Sequence, residues 1–98
     1  MLASLTFGDF FERVGETFRV EGPSGAFPLT LVEATDLARR ESPRPGRCPF
    51  SVIFLGPPTP VLTQGIRALE HATLGRLEIF LVPIGPDAAG MRYEAVFN

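Results

Sequence analysis

Near the start of the chain, apolar side chains recur at helical spacing. Four residues form this face: Phe7, Phe10, Phe11 and Val14. Thr6 is a residue type that caps helix N-termini, and Asp9, three residues later, supplies the acid of a short capping box. The pattern predicts a helix over residues 6–14, ended by a glycine. Because about two turns are unstable alone in water, we expect all four apolar side chains to be buried against the rest of the protein.

Beyond residue 15 the apolar positions alternate or form short runs, which is typical of β-strands. Six segments show this pattern: residues 17–21, 27–34, 50–55, 64–71, 76–82 and 91–97. Most connections between them are short, which favours antiparallel neighbours. The prediction is an all-β fold, a six-stranded antiparallel meander that closes into a small barrel behind one short N-terminal helix. We expect one domain over residues 1–98.

One polar segment interrupts the strands, residues 35–49. It contains prolines, a glycine and four arginines: Arg39, Arg40, Arg44 and Arg47. Proline and glycine oppose ladder pairing, so the segment is predicted to be a mobile loop, whose start at residues 36–40 either extends the preceding strand or makes one helical turn. Its positive charge makes the four arginines candidate contacts for a phosphate or an acidic protein. The loop lacks an aromatic side chain for base stacking, so nucleic acid is not an expected partner.

Two of the predicted strands, residues 50–55 and 77–82, are apolar on both faces. A domain of this size has few positions that are buried on both sides, so part of this surface is expected to need a partner chain. Alternatively, the N-terminal helix and the long loop cover this apolar surface within the chain. The last strand, with Tyr93 and Phe97 on its apolar face, is expected to offer an open edge unless the barrel closes on it. These two residues join the arginines as candidate contacts.

The composition narrows the setting of the protein. The net charge of −2 creates no field that attracts nucleic acid or an anionic membrane. The single cysteine, Cys48, cannot form a disulfide within the chain. The first five residues lack the basic start and apolar run of a secretion signal, and no segment approaches the length of a membrane-spanning helix. We therefore expect a cytoplasmic protein.

Catalytic and metal-binding motifs are missing from the sequence, and no cofactor is expected. With one histidine and one cysteine, the chain lacks the ligands for a zinc site. His71 is expected to face solvent in a turn; the alternative is a general base paired with Glu78 or Glu94 across the sheet. A dyad of Cys48 with His71 has nothing local to orient it. Glu70, Glu78 and Glu94 are expected to form a solvated, salt-bridged face rather than a catalytic carboxylate pair.

The closing residues 77–85 and 90–98, together with residues 5–7 and 64–71, resemble a family of small uncharacterised bacterial proteins. The resemblance spans nearly the whole chain and includes a specific C-terminal motif. Family members are of unknown function, so the resemblance assigns no catalytic residues. Relatives are encoded near phage-tail-like collar proteins, which implies a role in a tail-type or surface assembly.

Together these observations favour a non-enzymatic protein-interaction or assembly module. Its partner would be a second copy of the chain or a larger assembly. The alternative is a small-molecule-binding barrel, or a weak hydrolase that uses His71 and nearby carboxylates. An assembly module requires an exposed apolar patch, whereas a binding barrel requires a pocket with convergent polar groups.

Overall fold

The chain forms a closed antiparallel barrel with one short helix. The computed structural model describes residues 5–23, 25–37 and 49–97. Its elements in chain order are α1 (Phe7–Phe11), β1 (Thr17–Gly22), β2 (Gly25–Asp36), β3 (Phe50–Gly56), β4 (Gly65–His71), β5 (Gly75–Asp87) and β6 (Gly90–Phe97). Around the barrel the strands follow the order β1-β2-β3-β6-β5-β4. The predicted all-β class, six antiparallel strands, barrel and N-terminal helix are confirmed.

The strand order departs from a single continuous meander. Strands β1 to β3 form one three-stranded meander, and β4 to β6 form another. The two meet through β3 with β6 and through β1 with β4. The break falls where prolines follow β3, because proline cannot donate to a ladder. Residues 57–64 instead connect the two halves, and β4 begins beside β1.

The last strand has a neighbouring strand on each side along residues 90–94. It pairs with β3 from Phe50↔Phe97 to Gly56↔Met91 and with β5 on its other side. The start of β6 approaches β3 so closely that a Cβ on Gly90 would overlap the carbonyl oxygen of Gly56. The open edge expected for an unclosed barrel is therefore absent over residues 90–94, because closure of the barrel gives β6 two neighbours there.

The two long strands, β2 and β5, turn the corners of the barrel. In β5, residues 75–81 pair with β4 and residues 82–87 pair with β6, with a register shift between Pro83 and Gly85. In β2, the pairing passes from β1 to β3 near Thr30, followed by a similar shift. Such irregularities bend a strand and increase its twist, which lets one strand serve two walls.

Apolar side chains fill the interior of the barrel. The buried hydrophobic residues are Phe10, Phe18, Val20, Leu29, Leu31, Phe50, Val52, Phe54, Leu62, Leu69, Leu77, Ile79, Leu81, Met91, Tyr93 and Ala95. Most come from alternate strand positions, as the period of two requires. Phe10 of α1 packs at one end of this core. Near the other end, the N–H of Leu62 donates to the Tyr93 hydroxyl at 3.0 Å.

The helix begins as predicted and ends earlier. Thr6 and Asp9 form the reciprocal capping box. The helix ends at Phe11 rather than Val14, and the following turn runs to Gly15, whose N–H donates to the carbonyl of Leu31 at 2.6 Å. Gly15 has a φ of +99°, a conformation that favours glycine.

Only some of the apolar side chains expected to be buried on the helix face are buried. Phe10 is fully buried and Phe7 is half-buried, whereas Phe11 is 57% exposed and Val14 is 43% exposed. A helix of one turn and a half presents only Phe10 and part of Phe7 to the barrel end. The expectation for Phe11 and Val14 was wrong, because Val14 lies beyond the helix in the turn.

At the start of the predicted loop the chain extends the preceding strand, which is one of the two alternatives for this segment. Thr35 and Asp36 belong to β2, where they pair with Ser51 and Phe50 of β3. At the end of this ladder, the N–H of Leu37 donates to the carbonyl of Pro49 at 3.0 Å. Residues 38–48, and with them the four candidate arginines and Cys48, lie outside the described residues.

Candidate functional site

The outward-facing apolar side chains concentrate on one side of the barrel. We call this surface the β5–β6 wall and define it by Ile66, Phe80, Val82, Val96, Ile53 and Glu94. Ile66 of β4 lies directly opposite Phe80 of β5, and Val82 of β5 lies opposite Glu94 of β6. Glu94 in turn lies opposite Ile53 of β3. Cross-strand pairing therefore links most of the wall into one continuous surface.

Three of these side chains are strongly exposed for their size. Ile66 is 70% exposed, Phe80 50% and Val96 54%, while Val82 and Ile53 are half-buried. Scattered single apolar residues are normal on protein surfaces, but a connected group on neighbouring strands is characteristic of a binding surface.

Alternation along β5 explains how the sequence creates this wall. Leu77, Ile79 and Leu81 face inward and are buried. The intervening outward positions change from Arg76 and Glu78 to apolar residues at Phe80. This strand was predicted to be apolar on both faces. Its first part instead alternates between polar outward and apolar inward residues, whereas residues 80–82 are apolar on both faces and contribute to the wall.

Glu94 is the one acidic side chain of the wall. It lies half-buried between Val82 and Ile53, with Val96 two residues further along the same face. Within residues 5–23, 25–37 and 49–97, its carboxylate has no hydrogen bond or ion pair. An unpaired carboxylate among apolar neighbours is partly desolvated, so a cation brought by a partner would be bound favourably there.

The other carboxylates near the wall form the solvated face that was expected. Arg76 lies opposite Glu70 in the β4–β5 ladder, and its guanidinium is 3.8 Å from the Glu78 carboxylate. Both side chains of the ion pair are exposed, so the pair contributes little to stability. Glu78 has a cation beside it, as expected, and Glu94 has none among the described residues.

His71 occupies a buried position at the end of β4. Its side chain is only 4% exposed, and its ring centroid is 4.5 Å from that of Phe18. Nε2 lies 2.7 Å from the Glu16 carboxylate, while Nδ1 accepts hydrogen bonds from the backbone N–H groups of Thr73 and Leu74 at 3.0 and 3.1 Å. The expected solvent-facing histidine and its pairing with Glu78 or Glu94 are both wrong, because the ring turns inward to cap the β4–β5 turn.

This network assigns the protonation of the ring. Nδ1 is an acceptor for two N–H groups, so the proton of the neutral ring is on Nε2 and is donated to Glu16. A general base needs a free ring nitrogen within reach of a substrate. Both nitrogens of His71 are occupied in the fold, so the geometry gives no support to the weak-hydrolase alternative.

The two candidate contact residues of β6 have structural positions. Tyr93 is fully buried, with its hydroxyl bound to the Leu62 N–H, so it is a core residue and not a surface contact. Phe97 is half-buried, and its ring stacks on Phe50 with centroids 4.7 Å apart and lies 5.4 Å from that of Phe10. The exposed wall residues Ile66, Phe80 and Val96 were missed as candidate contacts. Leu69 and Leu77 face inward, so positions an odd number of residues away on the same strand face outward. Ile66 and Phe80 are two such positions.

The barrel interior has few groups that could orient a ligand. In the ranges that the structure covers, the buried residues with polar side-chain groups are Tyr93, whose hydroxyl is engaged by Leu62, and His71; the Nε atom of the half-buried Arg67 is also buried, without a hydrogen-bond partner. In those same ranges, no group of three or more His, Cys, Asp or Glu side chains is placed to hold a metal ion. No described helix has the length and apolar character needed to cross a membrane.

A charged hairpin borders the wall where β5 meets β6. Asp87 accepts backbone hydrogen bonds from Ala89 and Gly90 and is hydrogen bonded by the guanidinium of Arg92. The Arg92 hydrogen bond, followed by that from Ala89, holds the pKa of the Asp87 carboxyl below its ordinary value. The charged form of Asp87 is therefore favoured by the fold.

Replacing Arg92 with glutamine is expected to raise the pKa of Asp87 toward its ordinary value, as measured by NMR titration of the carboxyl. Arg19→Gln, a change on β1, is the control and should leave the titration of Asp87 unchanged. Because the folded pKa is lowered, this contact stabilises the fold above the ordinary carboxyl pKa, and the contribution is lost as pH falls through the lowered value. An Asp87 pKa that is the same in both variants would contradict this assignment.

A family model described as a domain of unknown function (DUF6916) matches residues 5–97, and the chain belongs to that family. Neither the curated proteins nor the solved structures contain a match to this chain. The match covers all six strands and the helix, so the family unit is the barrel described above.

Proposed function

We propose that this domain is a non-enzymatic protein-interaction module that joins an assembly through its β5–β6 wall. The observation that carries the proposal is the connected exposure of Ile66 and Phe80 on neighbouring strands, with Val96 on the same wall. Burying such side chains in an interface is favourable by about 25 cal/mol per Å² of apolar surface. A closed barrel leaves side-chain surface, rather than a strand edge, as the means of association.

The alternative of a small-molecule-binding barrel has less support. Its interior would have to offer volume and a few polar groups that converge on a ligand. In this barrel the inward positions are occupied by large apolar side chains such as Phe18, Phe54 and Leu81. The buried imidazole is committed to a turn and to Glu16.

The kind of assembly is a finer part of the proposal. We propose a bacterial, phage-tail-like or surface assembly, on the strength of the resemblance of residues 77–85 and 90–98 to proteins encoded near tail collars. Residues 82–87 and 90–94 of these stretches build the β5–β6 hairpin ladder that borders the wall.

Photo-crosslinking tests the proposed function. Benzoylphenylalanine at position 80 places a reactive aromatic on the wall, and the same residue at position 11 is a matched control on α1 with similar exposure. Ultraviolet irradiation of the cells that produce the protein should yield a discrete protein adduct from position 80 and not from position 11. Mass spectrometry identifies the partner. The absence of an adduct at position 80, or the same adducts from both positions, would overturn the proposal.

A further inference from the structure

We infer that the partner of the β5–β6 wall is a second copy of this chain, bound about a twofold axis with Glu94 of each copy facing Arg76 of the other. The inference rests on the proposed function and names its partner. It is based on the area of the wall, on the unpaired carboxylate within it and on the position of the cation along β5.

The area of the wall fits a symmetric dimer. With ordinary side-chain areas, the exposed fractions of its apolar residues leave on the order of 450 Å² of apolar surface on one copy, within the range of the largest patch on a typical monomer. A standard interface buries about 800 Å² per partner, of which somewhat more than half is apolar. The wall therefore supplies the apolar centre of one standard interface.

The carboxylate of the wall has no cation among the described residues. Glu94 has no ion pair among the described residues, although it is half-buried between Val82 and Ile53. Burial of the wall by a partner without a cation would desolvate this carboxylate and leave it unpaired, which is costly. A partner that fits must carry a basic side chain next to an apolar surface.

The chain itself carries such a side chain on the same face. Arg76 and Val82 are outward positions of β5 separated by six residues, or about 20 Å of extended strand. Glu94 lies beside Val82, so the anion is at one end of the wall and the cation lies beyond the other end on the same face. Phe80 lies between them.

A twofold axis uses this arrangement directly. An axis that lies in the interface, perpendicular to β5, and crosses it near Ile79 is midway between Arg76 and Val82, so it brings the level of Val82 on one copy opposite Arg76 of the other. It places Glu94 opposite Arg76 of the other copy twice, with the two Phe80 rings in the centre. The contact is isologous, so it closes as a dimer and does not extend into a fibre. The wall and the neighbouring Arg76 of one copy thus supply both charges that the interface needs.

Sedimentation velocity across micromolar concentrations tests the dimer. The unmodified protein should sediment as a dimer, and Phe80→Ser should sediment as a monomer. Phe11→Ser is the control, because it removes a phenylalanine of similar exposure from α1, and it should remain dimeric. Circular dichroism melting confirms that each variant is folded. Dimers of equal strength in all three proteins would overturn the assignment to this wall.

A charge exchange tests the predicted pairing. Glu94→Arg should weaken the dimer by at least about tenfold in Kd, because it faces Arg76 of the other copy, and Arg76→Glu should do the same. The double variant, Glu94→Arg with Arg76→Glu, exchanges the charges and should restore most of the affinity. Two additive losses without recovery would overturn the twofold arrangement.

The outcomes separate this inference from the proposed function. The purified protein could be monomeric at all concentrations while position 80 crosslinks to a different protein. That result would contradict the dimer and would still support the proposed interaction module. A monomer that also gives no adduct from position 80 overturns both. A dimer abolished by Phe80→Ser, with position 80 crosslinked to the same chain, supports both.

Discussion

Phe10→Ala is expected to lower the free energy of unfolding by about 3–5 kcal/mol, the range for removing a fully enclosed phenylalanine. Phe10 is fully buried, and its ring centroid lies 6.4 Å from that of Phe18, 5.8 Å from Phe50 and 5.4 Å from Phe97. These neighbours come from three different strands, which cannot all close on the space that alanine leaves. The loss combines apolar burial with an unfilled cavity at the end of the barrel.

Urea unfolding followed by circular dichroism measures this loss. Phe11→Ala is the matched control, because its ring is more than half exposed and contacts only Phe7 among the described aromatic rings. The control should cost less than about 1 kcal/mol, as is typical of surface positions. Equal unfolding midpoints for Phe10→Ala and the unmodified protein would mean that the helix does not hold the barrel end.

The barrel was predictable from the sequence because its signals are local. Alternation between apolar and polar positions marks each strand, and the glycine and proline turns separate them. The capping box of Thr6 and Asp9 likewise depends on residues three apart, and it is present in the structure. These features need no knowledge of what lies across the barrel.

The strand order was less predictable because it depends on a long connection. Short turns impose antiparallel neighbours within β1 to β3 and within β4 to β6. Residues 57–64 are long enough to let β4 pair with β1 instead of β3, and the spacing of apolar residues is the same in either arrangement. Whether the last strand has an open edge could not be predicted for the same reason.

The candidate site divides in a similar way. A strand that is apolar on both faces indicated that some apolar surface would remain exposed to solvent. The exposed apolar side chains of the β5–β6 wall agree with that indication. Tyr93 was placed on the surface because an aromatic residue on an alternating strand can face either side. Its inward orientation follows from the register with Phe54, which the sequence does not specify.

The role of His71 was missed because its partners are distant or are backbone groups. Glu16 is 55 residues away in sequence, and the two N–H donors carry no side-chain signal. A histidine at the end of a strand and before a Thr-Leu-Gly turn does suggest a turn cap. Its Nδ1 atom occupies a position similar to that of the oxygen in Asn or Asp, the usual side chains for this role.

His71→Ala is therefore expected to lower the free energy of unfolding by about 2–4 kcal/mol. The change removes the acceptor for two backbone N–H groups, ends the hydrogen bond to Glu16 and opens a cavity beside Phe18. A donor left without a partner on burial costs about 1–3 kcal/mol, and solvent reaches this turn in part, so the total remains below the sum of the separate losses.

Two further variants separate the turn cap from the hydrogen bond to Glu16, with urea unfolding as the measurement. His71→Asn keeps an acceptor for the N–H groups of Thr73 and Leu74 but cannot reach Glu16, so it should recover part of the lost stability. Glu16→Ala removes only the carboxylate acceptor of Nε2; because this carboxylate is half-exposed, water can take its place, and the loss should be about 1 kcal/mol, below that of His71→Ala. If Glu16→Ala instead destabilises the protein as much as His71→Ala, the hydrogen bond to Glu16 rather than the turn holds His71 in place. The order of the three losses thus decides whether this buried histidine is chiefly a backbone cap, as its two N–H contacts indicate.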